Sequence, residues 1–205
     1  MEHLSTVALE AGLDNVRDSP RDCGTVELIV RRPAVDEREV LAEGTLDAQA
    51  GLVGDSWPQR SSSRTADGSP HPGMQLNIMN SRAALLVAQD PARRKLAGDQ
   101  LYVDLDLSTA NLQAGTRLAL GSAVVEVTDQ PHRGCAKFAA RFGLDALRFV
   151  NSPVGRGLRL RGLNARVVVP GTVRRGDVIR KLPADELVTV GAGDRRPVRA
   201  PANPA

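Results

Sequence analysis

The apolar residues of this chain come in short alternating stretches, each ended by glycine, proline or a polar turn, and that punctuation leaves little room for a long helix. TVELIVRRP (25–33) alternates and stops at Pro33, and REVLAE (38–43) answers it after a polar turn, so the pair predicts a hairpin. MQLNIMN (74–80), LYVDLDL (101–107), TRLALG (116–121) and AVVEVT (123–128) predict further strands. Residues 158–182, LRLRGLNARVVVPGTVRRGDVIRKL, predict three more β segments separated by Gly162, Gly171 and Gly176. Helical spacing is confined to brief pieces: residues 4–13, SRAALLVAQ (81–89) behind an N-cap at Asn80 or Ser81, CAKFAARFG (135–143) and DALRFVN (145–151). Many short strands with few helices and no βαβ alternation predict a mainly β or α+β protein of barrel-like or sandwich architecture.

A chain of 205 residues with 2% aromatics must build its core from Val, Leu, Ile and Ala, and one core is expected. The expected organisation is an N-terminal extension at 1–20, a β domain over 21–182, and a Pro- and Ala-rich strand or flexible tail at 183–205. The Ser-, Pro- and Gly-rich run 56–73 predicts an exposed loop. A net charge of +3 and a pI near 9.3, carried mostly by arginine, fall short of a nucleic-acid-binding tail. The N-terminus does not read as a secretion signal and no apolar run is long enough for a bilayer, so a cytoplasmic protein without a membrane partner is expected. Two cysteines make no disulfide framework, and without paired Cys or closely spaced His no zinc site is expected.

Chemistry concentrates in DQPHRGCAKFAARFG (129–143). Cys135 stands where a helix should begin, and the free N–H groups of a first turn favour negative charge on its sulfur. His132, Arg133 and Lys137 add positive potential, Pro131 stiffens the entry, and Gly134 removes a side chain where a bulky ligand would approach. A thiolate there is a nucleophile, a persulfide carrier or a soft-metal ligand. The alternative is a small buried hydrophobe. Cys23, beside Asp22, reads as incidental.

In GRGLRLRGLNAR (155–166), an extended 158–161 would put Arg159 and Arg161 on one face, with Arg156 nearby, suited to an anion. A solvated outer strand face is the alternative. Arg82, Ser108, Thr109 and Asn111 supply further polar groups near turns, while Asp55 and Asp177 read as turn residues before strands.

Taken in order, GLVGD (51–55), NLQAGTRLALGSAVVEVTDQPHRGCAKF (111–138) and RGLNARVVVPGTVRRGDVI (161–179) resemble the MOSC domain, the family named after the C-terminal region of molybdenum cofactor sulfurases. The resemblance implies a β-barrel with a few short peripheral helices. It also implies molybdenum cofactor as a bound small molecule, with Cys135 as metal ligand or sulfur carrier; with the local reading of 129–143, Cys135 and His132 are the expected catalytic residues. Arg82, Ser108, Thr109, Asn111, Arg133, Lys137, Arg156, Arg159 and Arg161 become candidates for holding the cofactor. Reduction of N-hydroxylated small molecules is the activity of some relatives, and a redox or sulfur-donor protein would then be a partner. An aminotransferase-like region is missing from these residues, so no pyridoxal phosphate is expected. Where many standalone members carry a His-Gly-rich segment, SSSRTADGSPHPG has only His71. A noncatalytic polyanion-binding module is the remaining reading, and nucleic acid is not expected because scarce aromatics leave no stacking platform.

Overall fold

The computed structural model describes residues 3–183; the tail expected beyond 183 lies outside them. Eleven strands are described: β1 (Cys23–Arg31), β2 (Glu39–Leu41), β3 (Glu43–Asp47), β4 (Gly51–Leu52), β5 (Leu76–Asn80), β6 (Leu101–Asp104), β7 (Arg117–Leu120), β8 (Ala123–Val127), β9 (Leu163–Val169), β10 (Gly171–Arg174) and β11 (Val178–Lys181). The helices are α1 (Thr6–Ala11), α2 (Leu13–Arg17), α3 (Ser81–Ala88), α4 (Ala136–Asn151) and α5 (Pro153–Gly157). Seven strands close a barrel in the order β1-β6-β5-β9-β8-β7-β11, returning to β1, and only β5–β6 is parallel. β2 adds to the far end of β1, giving the expected hairpin, and β10-β3-β4 form a small second sheet.

Strand alternation separates two apolar layers. Leu76 and Ile78 of β5, and Leu101 and Val103 of β6, point into the barrel, whereas Met79 and Tyr102 point outward under the helices. In β1 an irregularity between Val26 and Leu28 lets Val26 and Ile29 both face inward while Leu28 and Val30 face out. The barrel interior is aliphatic, as the composition requires; all three Phe residues and the single Tyr belong to the outer layer. Leu9, Leu13 and Val16 of α1 and α2 pack into that same layer, so these two helices cover the barrel.

DALRFVN is helical as expected, and a break at Gly143 (φ 91°) inside α4 separates it from the helical turns that begin at Ala136. One expectation is corrected. Residues 158–161 are not a strand: they form the turn after α5, with Arg159 left-handed at φ 49°, and β9 begins only at Leu163. The alternation of LRLR therefore reflects no pleat. Gly162 follows at φ 101°, where a Cβ would lie 2.4 Å from the carbonyl oxygen of Ile78 and 3.3 Å from the His132 ring. A side chain there would meet both backbone strain and a fixed strand. Gly162→Ala should lower stability by about 1–3 kcal/mol in urea unfolding, while Gly157→Ala, with open space around it, should be close to neutral.

Candidate functional site

At one end of the barrel, residues 97–99 tie two buried charge clusters together. Asp99 is fully buried; its backbone N–H meets the Tyr102 hydroxyl at 3.3 Å. Arg161 donates from Nη1 to Asp99 Oδ2 (2.6 Å) and from Nη2 to the Ala97 carbonyl (2.9 Å), with its guanidinium 5.2 Å from the Phe138 ring centre. His132 Nε2 lies 2.9 Å from Asp99 Oδ1. Burial alone would raise the Asp99 pKa, but the charge of Arg161 and the hydrogen bonds from His132 and Arg161 hold it below the usual carboxylate range. Burial, then repulsion from Arg161, lowers the pKa of His132 despite Asp99. Asp99 is thus an anion and only accepts, which puts the His132 proton on Nε2 and leaves Nδ1 with its lone pair.

The second cluster joins β1, the turn after β4 and β5. Arg32 forks onto Asp55 with two contacts of 2.8 Å, both side chains being buried, and its Nη1 donates to Asn77 Oδ1 (2.9 Å) and to the Gly98 carbonyl (2.8 Å). Asn77 Nδ2 donates to Asn164 Oδ1 at 2.6 Å, and Asn164 reaches the Gln130 carbonyl at 3.1 Å, on the segment leading to His132. Asp55 also accepts the Trp57 backbone N–H (2.9 Å), so the expected turn role is combined with an ion pair. Burial would raise its pKa, but hydrogen bonding and charge from Arg32 hold it low.

Two cavities open beside these clusters, and His132 lines both. The first, ≈ 220 Å³, is lined among others by Arg133, Arg156, Arg159, Arg161 and Thr109. Arg161 is spent on Asp99, whereas Arg133, Arg156 and Arg159 have no ion-pair partner among the described residues. Arg159 donates to the Leu112 carbonyl at 2.6 Å, and burial lowers its pKa. Asp129 is the one carboxylate of this lining. The second cavity, ≈ 260 Å³, is lined by Arg32, Trp57, Arg60, His71, Met74 and Asn77 among others.

The expected site residues divide accordingly. His132, Thr109, Arg133, Arg156, Arg159 and Arg161 converge on the first cavity, reached through a turn instead of a strand face. Cys135 caps α4 in extended conformation, its carbonyl receiving the N–H groups of Phe138 and Ala139; its side chain makes no capping hydrogen bond, is exposed, and lines neither cavity. Gly134 opens no ligand path: a Cβ there would lie 2.8 Å from Leu147, and Asn151 clamps its N–H and carbonyl at 3.0 and 3.1 Å. Lys137 points along the other flank of α4, 3.9 Å from Asp36. Arg82 is forked onto Asp104 at 2.7 and 2.9 Å, away from both cavities. Asn111 holds the Arg21 and Asp106 carbonyls at 2.7 and 2.8 Å, and buried Ser108 sits in the same turn, so both brace the chain. Asp99, Arg32, Asn77 and Asn164 carry no local sequence signal; in the second cluster only Asp55, inside GLVGD, stands out in the sequence, and its partner lies 23 residues earlier.

A family model described as the MOSC domain matches residues 76–180. The chain belongs to the MOSC domain family. That match takes in the whole first cavity, Asp99 and Cys135, and leaves Arg32, Asp55 and Trp57 outside it. Among solved structures, YuaD from Bacillus subtilis is similar with a TM-score of 0.58 and 17% identity, over 77% of this chain and 94% of that one. YiiM from Escherichia coli is similar with a TM-score of 0.51 and 20% identity, over 78% and 70%. At these identities the likeness concerns the MOSC fold. No curated protein matches the sequence.

Two measurements check the Asp99 cluster. Asp99→Asn should cost about 3–5 kcal/mol in chemical unfolding, because Arg161 would be left as a buried charge without its counter-ion. The depressed His132 pKa gives a pH slope. Below about pH 6.5 the unfolded chain binds a proton that the folded chain refuses, so stability falls with acidification toward the folded value. His132→Gln should show a smaller loss of Tm between about pH 7 and pH 5 than the parent protein; equal losses would contradict a neutral buried His132.

Proposed function

We propose that this MOSC protein binds molybdenum cofactor, with the first cavity holding the anionic phosphate end and Cys135 providing the protein's thiolate ligand to the metal. The observation that carries this reading is the convergence of Arg133, Arg156 and Arg159, none ion-paired among the described residues, on a cavity in the segment that also bears Cys135. Guanidinium forks match phosphate oxygens, and partial burial strengthens the attraction. The donor set fits. Among the described residues no group of three or more His, Cys, Asp or Glu could enclose a metal, but a cofactor that brings its own dithiolene sulfurs asks only one soft ligand of the protein, and Cys135 is exposed and free. Such a centre supplies two-electron reduction, which suits N-hydroxylated small molecules. The chain's own contributions are to anchor the phosphate, to keep His132 neutral beside it, and to present one thiol.

Metal analysis of protein made in a cofactor-producing host tests the reading. Molybdenum should accompany the parent protein, fall about tenfold or more in Cys135→Ala, and fall similarly in Arg156→Glu. No molybdenum in the parent, or equal amounts in parent and Cys135→Ala, would overturn metal ligation.

One observation favours a second reading. Cys135 is exposed and lines neither cavity, a placement open to another protein's active sulfur. In that case its thiolate takes the terminal sulfur of a partner's cysteine persulfide, the partner leaving as a thiol and Cys135 becoming the persulfide. Incubation with a cysteine desulfurase should then add one sulfur, about 32 Da, in the parent protein and not in Cys135→Ala.

A further inference from the structure

We propose that the second cavity is a binding site for a small flat aromatic molecule carrying a carboxylate or comparable anionic group. Its aromatic wall is the first reason. Trp57 is the single tryptophan of the chain, and it stands apart from the buried Phe and Tyr residues that serve the outer apolar layer. It is held by its own backbone: its N–H donates to buried Asp55 at 2.9 Å and its carbonyl accepts from Arg60 at 3.0 Å. With Met74 and Pro70 it gives the cavity apolar walls that do no work in the core. A ring inserted between them would recover that contact surface.

Charge is the second reason. The lining holds Arg32, Arg60, His71 and His132 and no carboxylate. Arg32 is already neutralised by Asp55. Arg60 is not: its guanidinium donates to Ser56 Oγ at 3.1 Å and has no ion-pair partner among the described residues. Burial and the neighbouring charge of Arg32 outweigh the attraction of Asp55 and make its protonated form harder to hold, and a bound anion would add counter-charge. His71 accepts the Gly73 N–H on Nδ1 (3.0 Å), so its Nε2 is the donor nitrogen, with no internal partner among the described residues. Asn77 is held in place by Asn164 and Arg32, which take one amide hydrogen and one lone pair of its side chain. The volume, ≈ 260 Å³, falls just under the roughly 300 Å³ at which drug-sized sites begin, and so suits one or two rings.

This inference needs no cofactor and does not rest on the first cavity's ligand. If both stand, the aromatic molecule and the cofactor's anionic end occupy cavities that share His132.

The single tryptophan makes the test direct. Benzoate titrated into cofactor-free protein should quench Trp57 fluorescence saturably, with a Kd in about the millimolar range or tighter. Benzamide, flat but neutral, and acetate, anionic but without a ring, should each bind about tenfold more weakly or worse. Arg60→Met should weaken benzoate about tenfold while leaving benzamide nearly as before; calorimetry on Trp57→Ala should show benzoate binding lost. Equal quenching by benzoate and benzamide, or no saturable quenching by benzoate, would overturn the proposal. A benzoate affinity lowered more by Arg156→Met than by Arg60→Met would place the molecule in the first cavity and overturn it as well. Molybdenum content does not enter these readouts, so the cofactor reading and this one fail separately.

Discussion

The ionised Asp99 carboxylate, entirely removed from water, is the constraint around which this end of the molecule is arranged. An unpaired anion at that depth would be prohibitive, so its two oxygens need two donors of fixed position. They come from either side of the α4–α5 unit, His132 ahead of it and Arg161 behind it. Burying Asp99 therefore also docks that helical unit on the barrel. The stretch 97–99 does this work with three consecutive residues, because the Ala97 and Gly98 carbonyls receive Arg161 and Arg32 while Asp99 takes the charges.

The arginines fall into two physical kinds. Arg32, Arg82 and Arg161 face carboxylates at 2.6–2.9 Å and are matched charges whose role is to hold strands and turns together. Arg60, Arg133, Arg156 and Arg159 have no such partner among the described residues, and all four line cavities. A net charge of +3 is too small to distinguish these kinds, yet binding depends on the distinction. A matched guanidinium has little attraction left for a ligand, whereas an unmatched one beside low-dielectric protein has most of its field available.

Local periodicity predicted the strands well because the barrel strands present one face to an aliphatic interior, and an alternating pattern is what that geometry requires. It misled at LRLR, where Gly162 at φ 101° and Arg159 at φ 49° bend the chain into a turn that no alternation can report. The first cavity was nevertheless legible, since Arg156, Arg159 and Arg161 are close in sequence and His132 and Arg133 share one segment. The Asp99 pairs were not, because they span 33 and 62 residues and Asp99 itself follows a glycine, where an aspartate reads as a turn. The second cavity was equally hidden. Its lining is drawn from Arg32 just after β1, from residues 57–74, and from Asn77 of β5 and His132, pieces that only the closed barrel brings together.

His132 explains why two differently built cavities can sit side by side. A cationic imidazole there would lie beside Arg161 and near Arg32, in surroundings too dry to screen three like charges, and its pKa is accordingly pushed down. Neutrality has a chemical consequence. With Nε2–H committed to Asp99, Nδ1 is the remaining ring nitrogen, and it can only accept a hydrogen bond or a proton. The Asp99 carboxylate one layer deeper thus sets the tautomer of the residue that the two cavities share, and the unpaired arginines of the cavity walls supply the attraction for an anion.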